Sequence, residues 1–141
     1  MYTVLTLEAG VEIRVGNNSG IEVGGAGDVG GLTINGTAQD SVRITAQTET
    51  PGAWQGIWLN SNNVANQWRH ASIGYAGQEE LTFRQDNLAN VYVGGGIPLT
   101  AENCRFHHSA GAGVSYEADA SFTDTGNSYD NNAAGDAVQE N

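Results

Sequence analysis

The sequence predicts an all-β chain whose parallel strands wind as a solenoid of about five coils, three short strands in each. Three observations point there. The 141 residues include 20 Gly and only 15% charged residues, with Asn, Ser and Thr filling most polar positions, a composition suited to a turn-rich β protein rather than a helical one. Short alternations such as VYV and LTA read as brief strands. One register also serves three pairs: Leu99 with Phe122, Phe106 with Tyr129, and Val91 with Val114 are each 23 residues apart.

The coils follow from that register. LTAENCRFHHSAGAGVSY (Leu99 to Tyr116) and FTDTGNSYDNNAAGDAVQ (Phe122 to Gln139) are copies of one three-strand unit, coils four and five. Upstream, WRHASIGY aligns with LTAENCRF at an offset of 31, the extra residues falling in the loop AGQEELTFRQDNLAN, so coil three runs from Trp68 to Val93. LTINGTAQDSVRITA followed by GIWLN gives coil two, Leu32 to Leu59, and LTLEAGVEIRV followed by GIEV gives coil one, Leu5 to Val23. The larger loops lie near residues 46–56 and 76–90, and residues 1–141 form a single domain. A period in the twenties, with strands too short for hairpins, indicates that each strand stacks on its counterpart one coil later. A β-sandwich of the same short strands is the competing arrangement, but it needs no fixed register.

Through LTLEAGVEIRVG, LTINGTAQDSVRITA, WQGIWL and LTAENCRF, nearly the whole chain resembles the right-handed parallel β-helix superfamily, the pectin-lyase-like fold. That superfamily includes pectate lyases, polygalacturonases, phage tailspikes, adhesin passenger domains and repeat regions without an assigned activity, so the resemblance implies a scaffold and leaves the chemistry open. It also implies a secreted or cell-surface setting. Family lyases use a calcium-binding carboxylate cluster with a basic residue, and family hydrolases bring several aspartates together on adjacent coils. Neither set stands out: Asp124 and Asp130 lie in the last coil, Asp119 in the preceding turn, and the chain has no lysine. No carboxylate pair can be placed on one face, which speaks against catalysis and leaves a lyase or glycoside hydrolase as the alternative to the non-catalytic reading.

Sixteen Asp and Glu stand against five basic residues, all Arg, and the formal charge of -11 disfavours nucleic acid and anionic membranes as partners. Cys104 is the only cysteine, which rules out an intramolecular disulfide, and its apolar neighbours suggest a small core residue. No stretch approaches a membrane span, and MYTVLTLEAG lacks the basic and apolar regions of a signal peptide, so a soluble chain is expected. A cytoplasmic protein, a secreted one without its leader and a fragment of a larger repeat region all fit that start.

With apolar residues inward, one core column reads Leu5, Leu32, Trp68, Leu99, Phe122 and another Ile13, Ile44, Tyr75, Phe106, Tyr129. The inward positions of the first coil stay apolar, whereas those of the last turn polar or small at Asp124, Asn127, Ala137 and Gln139. An apolar open end invites strand addition, and the expected partner is a second copy stacked through the first coils as a two-fold homodimer. The alternative cover is further coils upstream.

The outward column of the third strand reads Glu22, Trp58, Tyr92, Ser115 and offers two stacked aromatics, with Trp54 in TETPGAWQG as a wall. Such a platform suits sugar rings; alternatively, the loop AGQEELTFRQDNLAN folds over both rings as a small second core. A second outward column, Arg14, Arg43, Gly74, Arg105, gathers positive charge for an acidic polysaccharide, with His107 as a base held by Asp130, or is a solvated row balanced by Glu12 and other acids. His70 and Asp124 share an inward column with Leu7, Ile34 and Ala101, as a buried pair or as strand-end residues bonding a turn. The row Thr6, Thr33, Thr100, Thr123, broken by Arg69, matches β-propensity alone. GGAGDVGG and DTGNSYDNN lack the spacing of calcium loops, so no metal and no cofactor are expected. The function expected is a non-catalytic, self-associating β-helix that binds carbohydrate or a similar extended ligand on the aromatic face; a structural, adhesin-type repeat with no small ligand is the other reading.

Overall fold

A computed structural model describes residues 2–25 and 29–141, so Asp28 of the GGAGDVGG stretch lies outside the described residues. Coil one holds β1 (Tyr2–Glu8), β2 (Glu12–Val15) and β3 (Gly20–Gly24), and coil two holds β4 (Val29–Asn35), β5 (Val42–Ala46) and β6 (Gly56–Asn60). Coil three holds β7 (Gln67–Arg69), β8 (Ala71–Gly74) and β9 (Ala89–Val93). Coil four holds β10 (Pro98–Glu102), β11 (Arg105–His107) and β12 (Ala112–Tyr116), and coil five holds β13 (Ser121–Thr125), β14 (Ser128–Asp130) and β15 (Gly135–Gln139). Every strand pairs in parallel with its counterpart one coil away, which gives three sheets of five strands, β1-β4-β7-β10-β13, β2-β5-β8-β11-β14 and β3-β6-β9-β12-β15. The chain is an all-β parallel β-helix of five coils, and this pairing excludes the sandwich.

The register of 23 holds between coils four and five in all three sheets, as in Leu99 with Phe122, Arg105 with Ser128 and Ala112 with Gly135. Coil three differs from its sequence reading. Ala101 pairs with Trp68 and Phe106 with Ile73, an offset of 33 rather than 31, while Ala112 still pairs with Ala89 at 23. The ten additional residues therefore leave the stack between β8 and β9. Trp68 moves to the column Leu7, Ile34, Trp68, Ala101, Asp124, and Ile73 replaces Tyr75 beside Ile44 and Phe106. The slot next to Leu32 is taken by Asn66, 1% exposed, whose Oδ1 accepts the Leu32 N–H at 3.0 Å and whose Nδ2 donates to the Ser61 and Pro98 carbonyls. The threonine row is interrupted by Gln67, not Arg69.

The inward residues of the middle coils are fully buried, among them Ile34, Ile44, Ile57, Leu59, Trp68, Ile73, Val91, Leu99 and Phe106. Each such side chain stabilises the fold by about 1.5–3 kcal/mol. Cys104 is buried too, and burial pushes its thiol up to about 11, as an inert core residue requires. At the corner after the second sheet the chain adopts left-handed backbone in three successive coils, at Tyr75 (φ 67°), His108 (φ 50°) and Asn131 (φ 54°). His70 is at the preceding corner with φ 48°, outside the inward column of Asp124.

The two ends of the stack are unlike. Leu5 is 57% exposed although its partner Leu32 is 4% exposed. At the other end Asp124 accepts hydrogen bonds from Asn127 Nδ2 (2.5 Å) and the Tyr129 hydroxyl (2.8 Å), a polar cluster beside the stacked rings of Tyr129 and Phe106. Burial and this carboxylate push the Tyr129 phenol well above its usual range.

Candidate functional site

The third sheet carries the outward column Glu22, Trp58, Tyr92, Ser115 in the order the sequence suggests. Its two aromatics meet different fates. Tyr92 is 1% exposed because the segment between β8 and β9 folds over it, and its hydroxyl donates to Glu117 Oε1 at 2.5 Å. Burial first and Glu117 second hold that phenol protonated well above the usual tyrosine range. Trp58 stays half-buried at the edge of the covering segment.

The cover is fastened by buried polar groups. Glu140, 2% exposed, accepts the Asp86 N–H at 2.7 Å, the Asn87 N–H at 3.3 Å and Asn87 Nδ2 at 3.2 Å. Gln85, also 2% exposed, accepts the Leu81 N–H at 2.8 Å and donates to the Asn87 carbonyl at 2.6 Å. Phe83, by contrast, is 90% exposed, with the Arg84 guanidinium 5.7 Å from its ring centre.

Between this segment and the sheet lies an open cleft of about 360 Å³ lined by Trp58, Asn60, Phe83, Arg84, Tyr92 and the Gly94–Gly95 backbone. A second cleft of about 370 Å³ adjoins it through Gly25, Asn60 and Gly95 and continues to Ser61 and Ile97. On the other side of Trp58 a smaller hollow of about 240 Å³ is lined by Glu22, Gln55 and Leu81. The result is a groove with Trp58 in the middle, one exposed aromatic and one cation at its rim, and the Asn60 and Glu22 side chains, bonded to each other at 3.2 Å, along its floor.

Trp54 and Arg105 lie elsewhere. Trp54 is fully buried, its Nε1 donating to the Gly74 carbonyl at 2.9 Å, so it belongs to the core rather than to a wall of the groove. Arg105 is on the second sheet and pairs through Nε with Asp130 at 2.7 Å. Phe83 and Arg84 went unread because they sit in a loop without periodicity; the one signal was an aromatic residue among polar neighbours.

On the second sheet the outward columns are Glu12, Arg43, Ser72, Arg105, Ser128 and Arg14, Thr45, Gly74, His107, Asp130. The arginines do not form one row. Arg43 pairs with Glu12 and Glu49 at 2.7 and 3.0 Å, and stacking opposite charges in register avoids the repulsion of guanidinium on guanidinium. His107 faces Asp130 in register as expected, but its ring nitrogens bond elsewhere: Nε2 is 3.1 Å from Ser72 Oγ and Nδ1 is 3.0 Å from Nδ1 of His108. Burial, then the nearby Arg105 and His108, pull His107 down to about 4, so it is neutral at physiological pH. Arg105 holds the Asp130 carboxyl below the usual carboxylate range.

Among the described residues no group of three or more His, Cys, Asp or Glu converges as a metal site, and no helix is long and apolar enough to cross a membrane. Comparison with protein-family models, curated proteins and solved structures found no match.

Proposed function

We propose that this protein is a carbohydrate-binding β-helix that seats an extended glycan in the groove around Trp58, a non-catalytic site that leaves the glycan backbone uncleaved. The observation that carries this is the placement of a half-buried tryptophan between adjoining clefts, with Phe83 exposed at the rim. Sugar rings stack on aromatic faces, and hydroxyls find partners in Asn60, Glu22 and Gln55. Groove continuity suits a chain rather than a compact ligand, and the net charge of -11 favours an uncharged glycan over a polyanion.

The test is tryptophan fluorescence during titration with neutral and acidic polysaccharides, with reducing ends and unsaturated products assayed in the same tubes. Trp54 and Trp68 are fully buried, so a ligand-dependent change reports on Trp58. A saturable change with a neutral chain, absent in Trp58→Ala and without product, supports the reading. Product formation would replace it with a lyase or hydrolase, and no response across the panel would leave the structural repeat.

The same protein is proposed to self-associate as a two-fold dimer through its first coil. The exposed Leu5 at one end and the polar Asp124–Asn127–Tyr129 cluster at the other favour a second copy on the first end alone.

A further inference from the structure

The second sheet holds a hydrogen-bonded line of three side chains that the aromatic groove does not use. Ser72 Oγ, His107 Nε2, His107 Nδ1 and His108 Nδ1 follow one another at 3.1 Å from hydroxyl to ring and 3.0 Å from ring to ring. The fold builds this line from several directions. Ser72 and His107 point outward from neighbouring strands, and the His107 ring lies over Gly74, where a Cβ would stand 2.4 Å from Cε1. The left-handed corner at His108 places its ring flat on Tyr75, centres 4.9 Å apart, while His107 meets Tyr75 edge-on at 5.4 Å. Asn90 Nδ2 donates to the His107 carbonyl at 3.0 Å. His107 itself is 7% exposed, whereas Ser72 is half-buried on the open face.

We propose that Ser72, His107 and His108 form an acyl-transfer site that hydrolyses O-acyl esters carried on an extended chain laid across the second sheet. Ser72 is the nucleophile, His107 the general base and His108 the positioning residue. With the His107 proton on Nδ1 and donated to His108 Nδ1, Nε2 is left to accept the Ser72 hydroxyl proton. Oγ then bonds to the ester carbonyl carbon while its proton passes to Nε2. The tetrahedral adduct collapses by breaking the carbon–alkoxy bond, and the alcohol leaves with the proton from Nε2. Water next adds to the acyl-serine carbonyl, giving a proton to Nε2. Cleavage of the Oγ–carbon bond releases the acid and returns the proton to Ser72.

Arg105 follows Ser72 in the same outward column, and its guanidinium engages Asp130 through Nε. None of the clefts described above is lined by Ser72, His107 or His108, so this site is separate from the aromatic groove.

The experiment is labelling of the full chain with a fluorophosphonate probe, followed by peptide mass spectrometry, alongside turnover of p-nitrophenyl acetate. One adduct at Ser72 is expected, absent in Ser72→Ala and slowed roughly 100-fold or more in His107→Phe. His108→Gln keeps an acceptor for the His107 proton and is expected to retain labelling, while His108→Phe keeps the stack on Tyr75 and is expected to lose it. Should His107→Phe fail to fold, Ser72→Cys serves instead, its thiol alkylated faster in the native protein than in urea. No adduct at Ser72, labelling unchanged in a folded His107→Phe, or alkylation no faster in the native Ser72→Cys would each overturn the proposal.

Discussion

Removing the Glu140 carboxylate should release the segment that covers Tyr92 without unfolding the solenoid. The carboxylate accepts one short bond from the Asp86 N–H and two longer ones from Asn87, all at a site 2% exposed. A hydrogen bond to a charged group contributes about 1.5–3 kcal/mol, and a longer one less, so Glu140→Ala should lower the free energy of opening this segment by about 3 kcal/mol. At 1.36 kcal/mol per tenfold, opening becomes about 100-fold more frequent. Trypsin reads that directly. Arg84 is exposed within the segment, whereas Arg14, Arg43, Arg69 and Arg105 lie in strands, so the first cut should separate residues 1–84 from 85–141. Wild-type and Glu140→Ala proteins cleaved after Arg84 at the same rate would refute the idea that this carboxylate fastens the cover.

Other outcomes follow from the second sheet and the open end. Gly74→Ala should cost about 1–3 kcal/mol in thermal melts, because the new Cβ falls 2.4 Å from the His107 ring, and should also abolish fluorophosphonate labelling. Acid should weaken the fold through His107. The native ring resists protonation down to about 4 while the unfolded one titrates near 6.5, so the unfolded chain binds the extra proton in between and stability falls as pH drops through that window. The effect is about 3 kcal/mol at most, and the loss of melting temperature between pH 7 and 4.5 should be smaller in His107→Gln. Leu5→Lys should give a monomer with unchanged far-ultraviolet circular dichroism in a light-scattering measurement; a wild-type protein that is monomeric at every concentration would exclude the dimer.

The coil count, the parallel stacking and the column Glu22, Trp58, Tyr92, Ser115 were legible because period-two alternation and a repeated spacing both survive in short strands. The third coil was misread by two residues for the same reason: a slip of two keeps every side chain on its own face, so alternation cannot detect it. Only the partners decide, as when Asn66 rather than Trp68 answers the Leu32 N–H. Trp54 in a Gly- and Pro-bearing loop reads as a wall of the platform, and only the Gly74 carbonyl, as partner for its indole, reveals it as core. The Ser72–His107–His108 line was invisible because it joins different strands through side chains that lean across the ladder, and no spacing along the chain encodes that.

The ten residues added between β8 and β9 leave the third-sheet offset at 23, so the ladder does not register how long that excursion is. Doubling a loop costs only about 0.6 kcal/mol in closure entropy, whereas one misplaced inward residue costs several times that. Sequence can therefore drift, lengthen or be exchanged at this junction while the coils above and below stay fixed. That makes it the natural place to graft a foreign peptide, and the place where related chains would be expected to differ most in what they bind.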